Sequence, residues 1–151
     1  MHAAGAIQQH WLFVVNALLS GNARKLKAGE YAIAPRASQR DILAQIAAGN
    51  IMLHAFTIPE GLSVAEILRR VAAADELSGA LPPPPPEGSM LPETYFFPRG
   101  ESRAALIGRL RISQLALLDR LWPARAAGLP LDSQAQAVIL ASIVEKETGI
   151  A

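Results

Sequence analysis

A run of five consecutive prolines, Pro82 to Pro86, is the feature of this 151-residue sequence that most limits how it folds. Proline has no amide hydrogen and a fixed φ angle, so the run can join neither the interior of a helix nor a central β-strand. We expect a short polyproline spacer, with little free surface for a partner. We therefore interpret residues 82–87 as a linker between two regions, 26–81 and 88–151.

Two short runs before the prolines alternate apolar and polar side chains, which is typical of β-strands. They cover residues 30–34 and 52–58. In the second run, Leu53, Ile58 and either Ala55 or Phe56 are the predicted core-facing residues. The sequence thus predicts two strands in this region.

A helix is predicted after each of these strands. Ser38 caps the first helix, which ends at Gly49, and Ser63 caps the second. In the second helix, Glu66 completes a capping box with Ser63. The apolar spacing predicts one buried stripe, formed by Val64, Ile67, Leu68 and Val71.

The amino-terminal residues contain an apolar stretch from Trp11 to Leu19, interrupted by Asn16. A helix that spans a bilayer needs about 20 apolar residues, so this stretch is too short. It also lacks the basic start and the small-residue cleavage site of a signal peptide. We predict that residues 1–25 form a short amphipathic helix packed on the domain.

Residues 88–100 predict an irregular segment with three consecutive aromatic side chains, which are Tyr95, Phe96 and Phe97. Two interpretations are open: the rings line a binding cleft, or they fasten the segment to the core. A long helix follows, from Ser102 to the Trp122-Pro123 pair. Its predicted core stripe consists of Leu106, Ile107, Leu110, Leu117, Leu118 and Leu121.

The last predicted helix covers residues 132–149 and carries apolar side chains on every face, so we expect it to be buried. Glu145 lies in its final turn. Apolar surroundings and the negative end of the helix dipole would both favour a protonated carboxyl there, as a general acid requires. Alternatively, Glu145, Lys146 and Glu147 are surface charges of a solvated turn, and spacing alone favours this second interpretation.

Composition and charge exclude several classes of function. Fourteen Lys and Arg against thirteen Asp and Glu leave a formal charge of +1, without a basic patch for nucleic acid. With no cysteine, isolated histidines and no glycine-rich phosphate loop, we expect neither a metal nor a cofactor. A conventional glycosidase also needs a second carboxylate, for which Glu93 is the candidate.

Four segments, in order and spacing, are similar to successive blocks of a known family. They are Leu26-Lys27-Ala28-Gly29-Glu30-Tyr31, Ile58-Pro59-Glu60-Gly61-Leu62-Ser63, Glu87-Gly88 with Leu91-Pro92-Glu93-Thr94-Tyr95, and Ala141-Ser142-Ile143-Val144-Glu145-Lys146-Glu147-Thr148. Together they resemble the MltG (YceG-like) family of endolytic murein transglycosylases, over roughly residues 11–150.

The resemblance implies an α+β fold. In that fold, residues 26–81 form a small LysM-like β-α-β-α module, and residues 88–151 form the mainly helical start of a catalytic domain. Glu145 matches the catalytic glutamate of the family. The candidate substrate contacts are Glu93, Tyr95, Ser142 and Glu147.

The reaction that the resemblance implies is cleavage of the bond between N-acetylmuramic acid (MurNAc) and N-acetylglucosamine (GlcNAc) in nascent peptidoglycan. The carboxyl of Glu145 first protonates the glycosidic oxygen, and as a carboxylate it then assists attack by the 6-hydroxyl of MurNAc. The product has a 1,6-anhydroMurNAc end. No second carboxylate is needed, because the nucleophile belongs to the substrate.

The resemblance also implies a longer, membrane-anchored parent protein on the periplasmic face of the bacterial inner membrane. Its partners would be glycan strands and cell-wall synthesis proteins. Since an anchor and the rest of the cleft would lie outside this sequence, we expect little or no activity from the chain alone. The alternative hypothesis is a non-catalytic module, in which the LysM-like segment within residues 26–74 binds peptidoglycan or a partner.

Overall fold

In the computed structural model, which describes residues 29–148, the chain divides into two compact units between Leu53 and His54. The division does not fall at the prolines, because residues on both sides of Pro82 to Pro86 share one core. The predicted amphipathic helix of residues 1–25 lies outside the described residues. The assignments of residues 26–81 as a LysM-like module and of residues 88–151 as the start of a catalytic domain stay predictions.

The described part of the first unit contains one helix, α1 (Gln39–Ala48). Ser38 caps it as predicted, and the Asp41 carboxylate accepts the Ser38 amide at 3.1 Å to complete a capping box. Gly49 ends the helix in the left-handed conformation, with φ of 70°. Three apolar side chains of α1 are buried: Ile42, Leu43 and Ile46.

The strand predicted for residues 30–34 is wrong. A strand requires a ladder of hydrogen bonds with a neighbour. Here the Met52 amide donates to the Glu30 oxygen at 2.7 Å, and the chain then turns, with the Ala37 amide bonded to the Ala34 oxygen at 3.1 Å. Alternation of side chains alone therefore did not determine a strand.

Across residues 29–148, the sheet consists of two antiparallel strands, β1 (Leu53–Thr57) and β2 (Thr94–Pro98). Thr57 faces Thr94, with their hydroxyl oxygens 2.8 Å apart. The ring of His54 lies 5.9 Å from that of Phe97. The strand predicted at residues 52–58 is confirmed, whereas residues 94–98 were expected to be irregular.

The two strands bury alternate side chains. In β1, Phe56 packs against the core and Ile58 just after the strand is buried, whereas Leu53 and Ala55 are exposed. In β2, Tyr95 and Phe97 point inward while Phe96 is exposed. The aromatic run is thus a strand with two anchored rings, which fits the interpretation that these rings fasten the segment to the core.

Helix α2 (Val64–Ala73) has the predicted capping box. The Glu66 carboxylate accepts the Ser63 amide at 2.8 Å, and the Ser63 hydroxyl accepts the Glu66 amide at 3.4 Å. The four predicted stripe residues are all buried, namely Val64, Ile67, Leu68 and Val71. Periodicity was sufficient here because the sheet and α3 cover that one face.

Helix α3 (Arg103–Leu121) starts at Ser102, whose hydroxyl accepts the Ala105 amide at 3.1 Å, and leads into a 3₁₀ turn, Trp122–Ala124. Only the first half of its predicted stripe is in the core. The buried residues are Leu106, Ile107 and Leu110, whereas Leu117 and Leu118 are half-buried and Leu121 is exposed.

Arg103 joins α3 to the carboxyl-terminal end of α2. Its guanidinium donates to four backbone oxygens, those of Val71 at 3.1 Å, Ala72 at 3.1 Å, Ala74 at 3.1 Å and Gly79 at 2.8 Å. The last carbonyls of a helix have no partner within it, so this side chain satisfies the end of α2.

Helix α4 (Gln134–Thr148) forms as predicted, but its predicted burial is wrong. None of its described residues is buried, and Ile139 and Ile143 are 60% and 53% exposed. An apolar helix is buried only where other elements cover it, and only part of its surface meets the loops described below. Within residues 29–148, no helix is long and apolar enough to cross a membrane.

Candidate active-site groove

A groove with a cavity volume of about 720 Å³ lies within the second unit. Its walls are formed by the loops at residues 59–63 and 87–92, the start of α2, the second half of α3 with the 3₁₀ turn that follows it, and α4. Most of the lining side chains are apolar, including Leu62, Met90 and Leu117. Few of the lining side chains are charged, and these few are the candidates to react with or orient a ligand.

Helix α4 meets the loop at residues 87–92 at a glycine. Gly88 has a φ of +69°, and a Cβ atom at this position would lie 2.5 Å from Cγ1 of Val138. That distance is shorter than two carbon atoms tolerate, and the backbone conformation also disfavours other residues. Glycine at position 88 thus allows α4 to lie directly on the loop.

A second glycine meets the last turn of α4. Gly61 has a φ of +76°, and a Cβ atom there would lie 3.3 Å from Oε1 of Glu145. The ammonium of Lys146 donates to the Gly61 backbone oxygen at 3.1 Å. Two adjacent residues of α4 therefore approach one residue of the loop at residues 59–63.

Glu145 lines the groove and is half-buried. Within the described part of the chain, its carboxylate is not engaged in any hydrogen bond or ion pair. The full burial that we expected for α4 is absent, because Ile143 and Val144 are exposed, although Val138 and Ala141 line the same groove as Glu145. The carboxylate thus faces the groove and is available to a ligand.

Two further carboxylates line the groove, and both are bound to the amino-terminal end of α2. Glu66 accepts the Ser63 amide and hydroxyl, at 2.8 and 2.7 Å, and Glu87 accepts the Val64 amide at 2.9 Å. The hydrogen bonds from Ser63, with smaller contributions from Arg69 and Lys146, lower the pKa of Glu66. Glu66 therefore stays ionised near neutral pH and is unsuited to donate a proton.

The structure brings together only two of the predicted site residues. Ser142 lines the groove beside Glu145, and its hydroxyl donates to the Ile139 oxygen at 2.7 Å. Glu93 and Glu147 are exposed and lie outside the groove lining.

Tyr95 packs in the core, and its hydroxyl donates to the Leu91 oxygen at 3.0 Å. Burial raises the pKa of this hydroxyl. Its position in the core explains why it does not line the groove.

The residues that sequence reasoning missed are Gly61, Glu66, Glu87, Gly88 and Lys146. Each of them was visible as part of a turn, a cap or a family-like segment, but none was assigned to a site. Three of the four family-like segments, at residues 58–63, 87–95 and 141–148, contribute to the groove walls. In the described part of the chain, no three His, Asp or Glu side chains are grouped so that they could hold a metal ion.

The sequence model of the YceG-like family matches residues 1–151, the whole chain. No protein with curated annotation matches the sequence significantly. Among solved structures, the chain is similar to a YceG-like protein of Listeria monocytogenes, with 19% sequence identity and a TM-score of 0.38. The alignment covers 78% of this chain and 50% of that one, so the chain spans about half the length of this relative.

Proposed function

Since the chain belongs to the YceG-like family, we propose that its groove is part of a peptidoglycan lytic transglycosylase site with Glu145 as acid and base. The observation that carries this proposal is the position of the Glu145 carboxylate, which lines the groove and approaches Gly61. The other two groove carboxylates, Glu66 and Glu87, are bound to the backbone of α2. Among the described residues of the groove, Glu145 is thus the carboxylate left to exchange a proton with a substrate.

One such carboxyl group is sufficient for a lytic reaction. Glu145 donates its proton to the glycosidic oxygen, and the bond from that oxygen to C1 of MurNAc breaks. The 6-hydroxyl oxygen of the same MurNAc then bonds to C1, and its proton passes to the Glu145 carboxylate. The products are a free 4-hydroxyl on GlcNAc and a 1,6-anhydro ring on MurNAc, with the enzyme returned to its starting state.

This proposal names glycan strands as the substrate and cell-wall synthesis proteins as candidate partners. Because nascent strands lie outside the inner membrane, it also places the protein on the periplasmic face of that membrane. The groove in this chain has α4 on one side with an exposed apolar face. We expect slow cleavage at best, since such an open site neither fixes the sugar nor excludes water.

The identity of the product tests the reaction class. Un-crosslinked glycan strands are incubated with the chain for a long period, and the new ends are identified by mass spectrometry. A lytic reaction gives 1,6-anhydroMurNAc ends, which are lighter by one water molecule than the reducing ends of hydrolysis. Slow accumulation of anhydro ends is expected, and accumulation of reducing ends would contradict the proposal.

Co-sedimentation with the same strands separates the binding hypothesis from the catalytic one. If the strands carry the chain into the pellet but no new ends form, the non-catalytic alternative is favoured. A variant with Glu145→Gln is the control in both assays, because it keeps the shape of the side chain and removes its acid. Binding by the variant with loss of cleavage is the result expected of a catalytic acid.

A further inference from the structure

Two neighbouring residues of α4 approach the loop at residues 59–63 at a single glycine, Gly61. On one side, the Lys146 ammonium donates to the Gly61 oxygen at 3.1 Å. On the other, Oε1 and Cδ of Glu145 lie 3.3 and 3.8 Å from the position of a Cβ atom on Gly61. Lys146 is therefore hydrogen-bonded to the loop, and the carboxylate of the preceding residue, Glu145, lies next to it.

The hydrogen bond of Lys146 joins residues 85 positions apart in the sequence and lies at the surface. An exposed interaction of this kind contributes little to the free energy of folding. It does fix the distance between the last turn of α4 and the loop. Since helices fray at their ends, a link in the final turn restricts the turn that carries Glu145.

Toward Glu145, Gly61 contributes space rather than a hydrogen bond. Any other residue would place its Cβ atom against the Glu145 carboxylate, and its φ of +76° would also be strained. Because the contact would be at 3.3 Å, either the carboxylate or the loop would have to shift by a few tenths of an ångström. The position of the carboxylate therefore depends on glycine at this site.

We propose that Lys146 and Gly61 are positioning residues for Glu145. The hydrogen bond from Lys146 fixes the loop against the last turn of α4, and the absence of a side chain on Gly61 leaves room for the Glu145 carboxylate. The proposal rests on the proposed function only for its consequence in catalysis. A carboxyl displaced by about 1 Å from the glycosidic oxygen can lose up to a hundredfold in rate. The geometric part can be measured with or without activity.

Three variants test the positioning of Glu145, and a fourth is their control. Lys146→Met removes the ammonium and keeps most of the side-chain length, whereas Lys146→Arg keeps a donor and serves as the conservative rescue. Gly61→Ala adds the Cβ atom from the loop side without changing α4. Arg111→Met is the control, because it removes one positive charge at an exposed residue that does not line the groove.

The first readout is the carbon-13 resonance of the Glu145 side-chain carboxyl at neutral pH, assigned by its disappearance in Glu145→Gln. Positioning predicts that the chemical shift of this resonance changes in Lys146→Met and in Gly61→Ala. In Lys146→Arg it should return toward the value of the unsubstituted chain, and in Arg111→Met it should not change. An unchanged resonance in both Lys146→Met and Gly61→Ala would overturn the proposal. This resonance can be measured even if the unsubstituted chain cleaves nothing. Failure of the proposed function can therefore be distinguished from failure of the positioning proposal.

The second readout is the rate of anhydro-end formation. Lys146→Met is expected to lower kcat about tenfold with little change in KM, because it displaces the acid without removing a substrate contact. Melting temperature should stay close to that of the unsubstituted chain, since the hydrogen bond is exposed. A fall in kcat that tracks a fall in melting temperature across all variants would contradict positioning and indicate a structural role.

Discussion

Helices α2 and α4 are both short and rich in apolar residues, yet only α2 is packed in the core. In α2, four residues on one stripe are buried. In α4, no described residue is buried, although apolar side chains occupy every face. A hydrophobic stripe predicts burial only when another element of the same unit can cover it, and here the sheet and α3 cover α2 alone.

The two helices also differ in how their ends are held. Both ends of α2 are satisfied by side chains, with Ser63, Glu66 and Glu87 at its start and Arg103 at its end. Helix α4 contacts the loops through Gly61 and Gly88, which allow close approach. Under the proposed function, α2 contributes stability and α4 carries the reacting group.

The largest effect is expected for truncation of the core. Phe97 is 1% exposed, so Phe97→Ala should lower the free energy of unfolding by about 3–5 kcal/mol. Ile143→Ala in α4 is the matched comparison, and because that side chain is exposed it should cost about 0.5 kcal/mol. Urea unfolding measures both values, and equal costs would mean that α4 is packed as firmly as the core.

The next effect concerns the end of α2. Arg103→Lys should lower the free energy of unfolding by about 1.5–3 kcal/mol, because an ammonium cannot reach the four carbonyls that the guanidinium satisfies. Arg111→Lys in the same helix is the control, since that side chain is exposed and should change stability by no more than about 0.5 kcal/mol. Similar losses of unfolding free energy in the two variants would show that Arg103 has no special role at the end of α2.

Loss of the cap at the start of α2 should have a smaller effect. Ser63→Ala removes the hydroxyl that accepts the Glu66 amide, at a cost of about 1 kcal/mol. Ser142→Ala in α4 should change stability by less than about 0.5 kcal/mol, because that hydroxyl bonds only within its own helix. Thermal unfolding of the two variants side by side would show whether serine contributes differently in the two helices.

The smallest effect is a pH dependence. The pKa of Glu66 is lowered from its ordinary value of 4.5 in the folded chain, mainly by Ser63. Its carboxylate therefore stabilises the fold fully above that value, and the contribution is lost as the pH falls through the lower folded pKa.

The measurement for this pH effect is urea unfolding at about pH 5 and at about pH 3. Glu66→Gln and Ser63→Ala should each lose less stability between these pH values than the unsubstituted chain loses. An identical loss in all three proteins would show that the capping box does not respond to acid as described.

Much of the fold could be predicted from local patterns. The caps at Ser38, Ser63 and Ser102 and the buried stripe of α2 follow from side-chain chemistry within one or two turns. The exposure of α4 and the pairing of β2 with β1 could not be predicted, because they depend on which segments lie next to each other in space.

The candidate site shows the same limit. Glu145 and Ser142 were identified through the family-like segment, and the structure places both at the groove. Tyr95 was proposed from the run of three aromatic residues and the family-like segment, and the structure places it in the core. The roles of Gly61 and Lys146 depend on a contact between residues 85 positions apart, which no local pattern indicates.

The most direct test of the central claim compares two neighbouring glutamates of α4, only one of which lines the groove. The rate of 1,6-anhydro end formation from un-crosslinked strands is measured for Glu145→Gln and Glu147→Gln under identical conditions. Glu145→Gln is predicted to lose about a hundredfold or more, as expected for a general acid, while Glu147→Gln keeps the rate of the unsubstituted chain. Equal rates in the two variants would contradict the assignment of Glu145 as the acid and base of this groove.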